Sequence, residues 1–154
     1  MAGVWGAGVK RGGERADEGG VKAPPTGPYI LICDDEAPIR QVVRARLQSA
    51  GYQVAEARTG AEGLDIAVAS APSLIISDYQ MPVMSGVEMA RQLRGVVSTA
   101  EVPILLVTAR GYVLDPAELA GTMIRAVMGK PFGLRQLQEQ VAGLLGEGGA
   151  RKVA

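Results

Sequence analysis

The sequence predicts an α/β fold, namely a doubly wound sheet of five parallel strands with helices on both faces. Short apolar runs rich in β-branched residues alternate along the chain with stretches of helical periodicity. Several of these runs are apolar throughout, which is typical of strands that are buried on both faces of a parallel sheet. Parallel strands need crossover helices, and right-handed crossovers place those helices on the two faces.

The first half of the chain supplies two strand-helix units. Pro38 suits the first turn of a helix and Gly51 suits its end, while Thr59 and Glu62 are spaced as a capping box. The predicted elements are a strand at Tyr29–Cys33, a helix from about Pro38 to Ala50, a strand at Tyr52–Ala57 and a helix from Thr59 to about Pro72.

The central unit begins with an apolar run at Leu74–Ile76 that ends in Ser77 and Asp78. Asp78 is therefore predicted at the carboxyl end of a strand, where ligands bind in open α/β sheets. Ser85 and Glu88 form a second capping-box pattern, so a helix is expected to follow directly.

The second half supplies two more units. Asp115, Pro116 and Glu118 occupy the N-cap, N1 and N3 positions of a predicted fourth helix. The remaining predicted elements are a strand at Val102–Val107, a weaker strand at Ile124–Met128, and a last helix from about Gly133 with an apolar face.

Composition divides the chain into three parts. Residues 1–27 are Gly-rich and polar, which predicts a flexible arm; residues 28–147 form the folded domain, and residues 148–154 a short tail. The formal net charge is zero, so we expect no nucleic-acid partner. No apolar run is long enough to insert in a membrane, and a cytoplasmic location is expected.

The chain contains no histidine and one cysteine, Cys33. The lack of histidine excludes Ser-His-Asp and Cys-His catalysis, histidine metal sites and a phosphohistidine carrier. Cys33 lies in an apolar run and is expected to be a buried thiol with a structural role. Chemistry must therefore depend on carboxylates, hydroxyls, lysine and a hard cation.

Polar residues follow the first, third and fourth predicted strands, namely Asp34 and Asp35, Asp78, and Thr108. These strand ends converge on one crevice in the predicted sheet. Clustered carboxylates repel one another unless one is protonated or a cation binds, and Mg²⁺ prefers such oxygen ligands. Lys130, just past the fifth strand, can reach the same place, and the set suits a carboxylate that becomes phosphorylated.

Four motifs follow one another along the chain, namely Asp34-Asp35, Asp78 with Met81 to Gly86, Val107-Thr108-Ala109, and Lys130-Pro131-Phe132. In this order they resemble the receiver domain of two-component response regulators. The resemblance covers about residues 28–147 and implies the 2-1-3-4-5 strand order of flavodoxin-like sheets.

The resemblance implies a role for each motif. Asp78 would accept a phosphoryl group from a sensor histidine kinase or a histidine phosphotransfer protein. Thr108 and Lys130 would contact the phosphoryl group, and the Lys130-Pro131 bond would be cis. The implied Mg²⁺ ligands are Asp34, Asp35, Asp78 and the backbone carbonyl of Gln80.

Two features depart from the family pattern or vary within it. Val127 stands where the family usually has an aromatic switch residue, so the output face would switch differently or hardly at all. Gln80 and Arg110 occupy positions that, in the family, tune the lifetime of the phosphoryl group.

The sequence leaves three functions open. The first is a stand-alone receiver that catalyses only its own phosphorylation and dephosphorylation and signals to a protein target that the sequence does not identify. The second is a degenerate receiver that acts as a phosphorylation-independent docking module, which Val127 favours. The third is a phosphatase with an aspartyl phosphate intermediate, which is disfavoured because Gln80 replaces the second acid of such enzymes.

Overall fold

The structure, a computed structural model, describes residues 27–109 and 114–147. The predicted arm, apart from Gly27, and the predicted tail lie outside these residues. The strands are β1 Ile30–Cys33, β2 Val54–Ala57, β3 Leu74–Asp78, β4 Ile104–Thr108 and β5 Ile124–Gly129. The helices are α1 Ala37–Ser49, α2 Gly60–Ala69, α3 Gly86–Arg94, α4 Pro116–Leu119 and α5 Leu134–Glu147, with a short 3₁₀ helix at Val97–Thr99.

The five strands form one parallel sheet in the order β2-β1-β3-β4-β5. This confirms the predicted fold class and strand order. In the register, Cys33 lies beside Ser77, Asp78 beside Val107, and Thr108 beside Gly129. The carboxyl ends of the strands therefore meet at one edge of the sheet, as predicted.

Two apolar layers cover the sheet, which explains why its central strands have no polar face. On one side the sheet packs against α2 and α3, and on the other against α1 and α5. The first layer includes Leu31, Ile75 and Ile104 with Ile66, Met89 and Leu93; the second includes Ile32, Leu74 and Leu105 with Leu47, Leu137 and Val141.

Cys33 belongs to the first layer and is fully buried. Its Sγ lies 4.0 Å from Met89 Sδ, and a Cβ added at Gly63 would lie 2.5 Å from the Cys33 Sγ. Burial, with smaller contributions from Glu62 and Asp34, raises the pKa of the Cys33 thiol. The expectation of a buried thiol is therefore confirmed.

Helices α2 and α3 begin at their predicted capping residues. At α3 the capping box is complete, because Ser85 Oγ accepts the Glu88 N–H at 3.1 Å and Glu88 Oε1 accepts the Ser85 N–H at 3.0 Å. At α2, Thr59 Oγ1 accepts the Glu62 N–H as predicted. The carboxylate of Glu62, however, accepts the N–H of Arg58, one residue before its predicted partner.

The region around β5 contains a short helix and an irregular strand pairing. Asp115 caps α4 by accepting the Ala117 N–H, as predicted, but this helix has only four residues. It ends because Ala120 is extended and Gly121 has a φ of +76°. The edge strand β5 has a register shift against β4, and its residues alternate in exposure.

Across the described residues, no helix combines the length and the hydrophobicity that a bilayer crossing requires.

Candidate functional site

Three carboxylates meet at the carboxyl edge of the sheet. Asp34 directly follows β1, and Asp78 is the last residue of the neighbouring strand β3. Asp34, Asp35 and Asp78 each present an oxygen within 4.8 Å of the others. Asp34 and Asp78 are buried, whereas Asp35 is exposed. The predicted convergence of these residues is confirmed.

Lys130 neutralises part of this carboxylate cluster. Its Nζ lies 3.3 Å from Asp34 Oδ2 and 3.4 Å from Asp78 Oδ1. Its backbone N–H donates to the carbonyl of Thr108 at 2.7 Å, which fixes it beside the end of β4. The Lys130-Pro131 bond is cis, as predicted. The prediction that the lysine reaches the acids is therefore confirmed.

The charges of the cluster change the acidity of its members. Burial, followed by the negative charge of Asp34, raises the pKa of Asp78 from 3.8 to about 6, although the ammonium of Lys130 lowers it in part. For Lys130, burial alone would lower the pKa. The nearby carboxylates of Asp34 and Asp78 outweigh that effect, so its pKa is raised. At neutral pH the site thus holds a buried, ionised Asp78 beside a firmly protonated lysine.

Thr108 places a hydroxyl at the same edge of the sheet. The residue is buried, and within the described ranges its Oγ1 is a buried side-chain atom without a hydrogen-bond partner. Unpaired buried polar atoms are costly, and in native proteins they often mark a position that a ligand or water completes. Thr108 Oγ1 therefore provides a donor that a bound group can use.

The loop after Asp78 holds α3 close to the site. The Gly86 N–H donates to the carbonyl of Tyr79 at 3.0 Å. A Cβ added at Gly86 would lie 2.5 Å from the carbonyl oxygen of Asp78, so only glycine allows this approach. Within the same loop, Val83 is fully exposed and has a φ of +70°, which is unusual for a β-branched residue.

The remaining predicted residues lie nearby or outside the described chain. Gln80 is exposed, two residues after Asp78, and its role as a carbonyl ligand or lifetime-tuning residue stays a prediction. Val127 lies on β5 beside Leu106 and is 42% exposed. Arg110 lies outside the residues that the structure describes.

Sequence reasoning missed three polar contacts around the site. Arg40 on α1 donates to the carbonyl of Asp34 and pairs with Glu56 on β2. On the other side, Tyr79 donates to the carboxylate of Glu118 at 3.3 Å. None of these contacts has a local signal, because each joins segments whose relative position only the complete sheet determines.

The donor set of the cluster suits a hard divalent cation. Three carboxylates supply oxygen ligands only, and two of them are buried at a distance where their charges repel. A cation would relieve this repulsion, which Lys130 offsets only in part. The carboxylate cluster can therefore hold a metal ion.

Curated relatives match most of this chain. One is the phosphate regulon transcriptional regulatory protein PhoB of Pseudomonas aeruginosa, 36% identical over 121 residues that cover 77% of this chain and 52% of PhoB. Another is the DNA-binding dual master transcriptional regulator RpaA of Synechocystis, 34% identical over 118 residues that cover 77% of this chain and 49% of RpaA. The chain thus spans about half the length of these relatives.

These relatives correct one prediction. Zero net charge predicts no nucleic-acid partner, yet the relatives are transcriptional regulators and the name of one describes it as DNA-binding. The prediction that nucleic acid plays no part is therefore wrong. Its physical weakness is that the net charge of one domain says nothing about a partner that the rest of a protein binds.

Solved structures and the family profile agree with the geometry. The chemotaxis protein CheY4 of Vibrio cholerae superimposes with a TM-score of 0.71 at 32% identity, covering 77% of this chain and 98% of that one. A response regulator receiver domain protein of Clostridium thermocellum gives 0.69 at 27% identity, covering 79% and 96%. The sequence profile described as the response regulator receiver domain matches residues 30–142. The chain therefore belongs to the family of response regulator receiver domains.

Proposed function

We propose that this domain accepts a phosphoryl group on Asp78 from the phosphohistidine of a sensor kinase or a phosphotransfer protein. The observation that carries the proposal is the environment of Asp78. This carboxylate is buried at a strand end, next to two further carboxylates and the ammonium of Lys130. Such surroundings bind a cation and stabilise phosphoryl oxygens in the same place.

In the proposed reaction, a carboxylate oxygen of Asp78 forms a bond to phosphorus. The bond from phosphorus to the donor's imidazole nitrogen breaks, and its electron pair stays with the imidazole. Asp78 must be ionised to attack, and a pKa of about 6 satisfies this at neutral pH. Hydrolysis of the aspartyl phosphate by water would return the free carboxylate, so the domain catalyses only its own phosphorylation and dephosphorylation.

We assign the cation as Mg²⁺, held by Asp34, Asp35, Asp78 and the backbone carbonyl of Gln80. Bound there, Mg²⁺ supplies positive charge to the phosphoryl oxygens. Lys130 already lies against Asp78 and would pair with a second phosphoryl oxygen. The unpaired hydroxyl of Thr108 would donate to a third.

The surface beside Lys130 supports a protein as the phosphoryl donor. An open depression there is lined by Lys130 and by apolar residues of α1 and of the segments after β4 and β5, namely Ile39, Ala109, Pro131 and Phe132. An apolar surface next to the reactive carboxylate can hold a partner protein while its phosphohistidine reaches Asp78.

The names of the curated relatives favour control of transcription as the output of the signal. That the domain acts alone stays a prediction, as does its cytoplasmic location.

One observation favours the second candidate, a docking module that needs no phosphorylation. Val127, at the position of the family's aromatic switch residue, is exposed and carries no ring.

Incubation with acetyl phosphate and Mg²⁺, followed by intact-mass spectrometry, tests the proposal. We expect one phosphoryl group per chain in the wild type and none in Asp78→Asn. Asp65→Asn is the matched control, because Asp65 is an exposed carboxylate on α2, and it should be labelled like the wild type. A wild type without any uptake would support the docking module, and continuous phosphate release without a stable adduct would support the phosphatase.

A further inference from the structure

The main chain of Asp34 is held on both sides by neighbouring elements. Its N–H donates to the carbonyl of Ala57 on β2 at 3.1 Å. Its carbonyl oxygen accepts a hydrogen bond from Arg40 Nη1 at 2.8 Å. That carbonyl belongs to the peptide group that joins Asp34 to Asp35. Because a peptide group is planar, the bond from Arg40 fixes the orientation of the chain between the two carboxylates.

The guanidinium of Arg40 is itself held in place by Glu56 on β2. Arg40 Nε lies 3.1 Å from Glu56 Oε1, so the two bonds leave the guanidinium from different nitrogens. Arg44, one turn further along α1, pairs with the other oxygen of Glu56. The Arg40 side chain is only 12% exposed, against 35% for Arg44. Arg40 is thus the inner of two arginines on one carboxylate.

We propose that Arg40, oriented by Glu56, is a positioning residue that sets the geometry of the carboxylates of Asp34 and Asp35 for cation binding. This inference rests on the proposed function, in which that cation is Mg²⁺. Mutation of a residue that orients a metal ligand typically weakens metal affinity by about 10- to 100-fold. Arg40 acts through the Asp34-Asp35 peptide, by its hydrogen bond to the Asp34 carbonyl.

The chemistry of arginine matters for this role. The planar guanidinium offers several N–H groups in fixed directions, so one side chain can bind Glu56 and the Asp34 carbonyl together. A lysine has a single ammonium nitrogen on a flexible chain and cannot reproduce both directions. We therefore expect Arg40→Lys to keep the charge but lose most of the positioning.

Charge alone predicts the opposite effect of a substitution. Removing a cationic side chain near a cation site reduces repulsion, so bulk electrostatics would strengthen Mg²⁺ binding in Arg40→Gln. A weaker affinity in that variant can therefore arise only from altered ligand geometry. This difference in sign separates positioning from electrostatics.

The experiment is a calorimetric titration of the unphosphorylated full chain with Mg²⁺ alone. We expect Arg40→Gln to bind Mg²⁺ at least about tenfold more weakly than the wild type. The affinity of Arg40→Lys should be close to that of Arg40→Gln. The matched control is Arg44→Gln. This variant also removes one positive charge of α1 that pairs with Glu56, but it keeps the hydrogen bond from Arg40 to the Asp34 carbonyl. Its Mg²⁺ affinity should equal or slightly exceed that of the wild type.

The outcomes distinguish this inference from the proposed function. Circular dichroism melts establish that each variant is folded at the titration temperature, and Arg40→Lys takes the place of Arg40→Gln if the latter does not fold. Equal Mg²⁺ affinities for the Arg40 and Arg44 variants would overturn the positioning role while leaving phosphoryl transfer to Asp78 intact. A wild type that binds no Mg²⁺ and takes up no phosphoryl group would instead overturn the proposed function.

Discussion

The acidic end of the central strands and the β5 edge differ sharply in how tightly they are packed. Every residue of β1 and β3 is buried, and their ends carry Asp34 and Asp78. In β5 only Met128 is buried, and the preceding helix α4 is a single short turn. The carboxylates therefore lie at the end of the fully buried centre of the sheet, whereas most side chains of β5 are exposed or partly exposed although the strand is paired with β4.

This difference matters for the proposed function. Carboxylates can be kept close together against their repulsion only where packing and hydrogen bonds hold the backbone. A surface that changes its contacts in response to phosphorylation, by contrast, needs low local stability. The buried strand ends fit the first requirement and the more exposed β5 is the candidate for the second, so the following substitutions compare the two regions directly.

The largest effect is expected at Gly86, where α3 approaches the acidic end. In Gly86→Ala the new Cβ would lie 2.5 Å from the carbonyl oxygen of Asp78 and 2.8 Å from Leu106 Cδ1. Backbone would have to shift, so we expect a loss of about 3 kcal/mol in the free energy of unfolding. Urea denaturation followed by circular dichroism measures this loss.

Gly129, on β5, is the control for the opposite region. A Cβ added there meets no atom within 4 Å. Gly129→Ala should therefore change stability by no more than about 0.5 kcal/mol. Similar losses at Gly86 and Gly129 would show that packing does not distinguish the two regions.

A smaller effect is expected when the acidic cluster loses its ammonium. Lys130→Met leaves Asp34 and Asp78 without their cationic partner. We expect the metal-free protein to lose about 1–2 kcal/mol of stability, less than a fully buried pair would lose because Lys130 is partly exposed. The pKa of Asp78 should also rise further above about 6, which carboxyl NMR titration measures.

Arg125→Met provides the comparison at the edge strand. Arg125 is an exposed residue of β5, and its replacement should leave both stability and the pKa of Asp78 nearly unchanged. A pKa of Asp78 that stays constant in Lys130→Met would contradict the electrostatic coupling between these two groups.

Asp78→Asn should stabilise the metal-free protein by about 1 kcal/mol at pH 8. The amide removes a buried negative charge next to Asp34, although Lys130 loses one partner. Folding raises the pKa of Asp78 from 3.8 to about 6, so the folded state binds the proton more tightly than the unfolded chain. Wild-type stability from this group therefore falls as pH rises through that window.

The advantage of the asparagine variant should accordingly be complete above pH 6 and absent below pH 3.8. Urea denaturation in EDTA at several pH values measures it. An asparagine variant that is equally stable or less stable at pH 8 would mean that the three carboxylates do not strain the fold.

Sequence reasoning predicted the tightly packed region well, for a physical reason. Fully apolar runs identify buried strands, and the polar residue that ends each run must lie at the carboxyl end of its strand, as Asp34 and Asp78 do. The bond from Arg40 to the Asp34 carbonyl left no such pattern, because it depends on how α1 lies on β2. The shortness of α4 was equally hidden, since Asp115 and Pro116 signal where a helix begins and not how far it continues.

The smallest effect is expected at Val127, and it tests whether the edge strand β5 is independent of the carboxylate cluster. In Val127→Thr the added hydroxyl can reach water, because the residue is 42% exposed. We expect stability to change by less than about 0.5 kcal/mol and phosphoryl uptake on Asp78 to stay the same. Urea denaturation and the acetyl phosphate assay measure the two quantities.

Val107→Thr makes the same chemical change on the adjacent strand β4, where the residue is 3% exposed. There the hydroxyl enters the apolar layer beneath α1 and α5, so a loss of about 1–3 kcal/mol is expected. If Val127→Thr were as costly, or if it slowed phosphoryl uptake, the edge strand would be coupled to the carboxylate cluster. Unchanged uptake would instead mean that the side chain at position 127 does not influence the carboxylate cluster, because Asp34 and Asp78 lie at the ends of the buried strands β1 and β3.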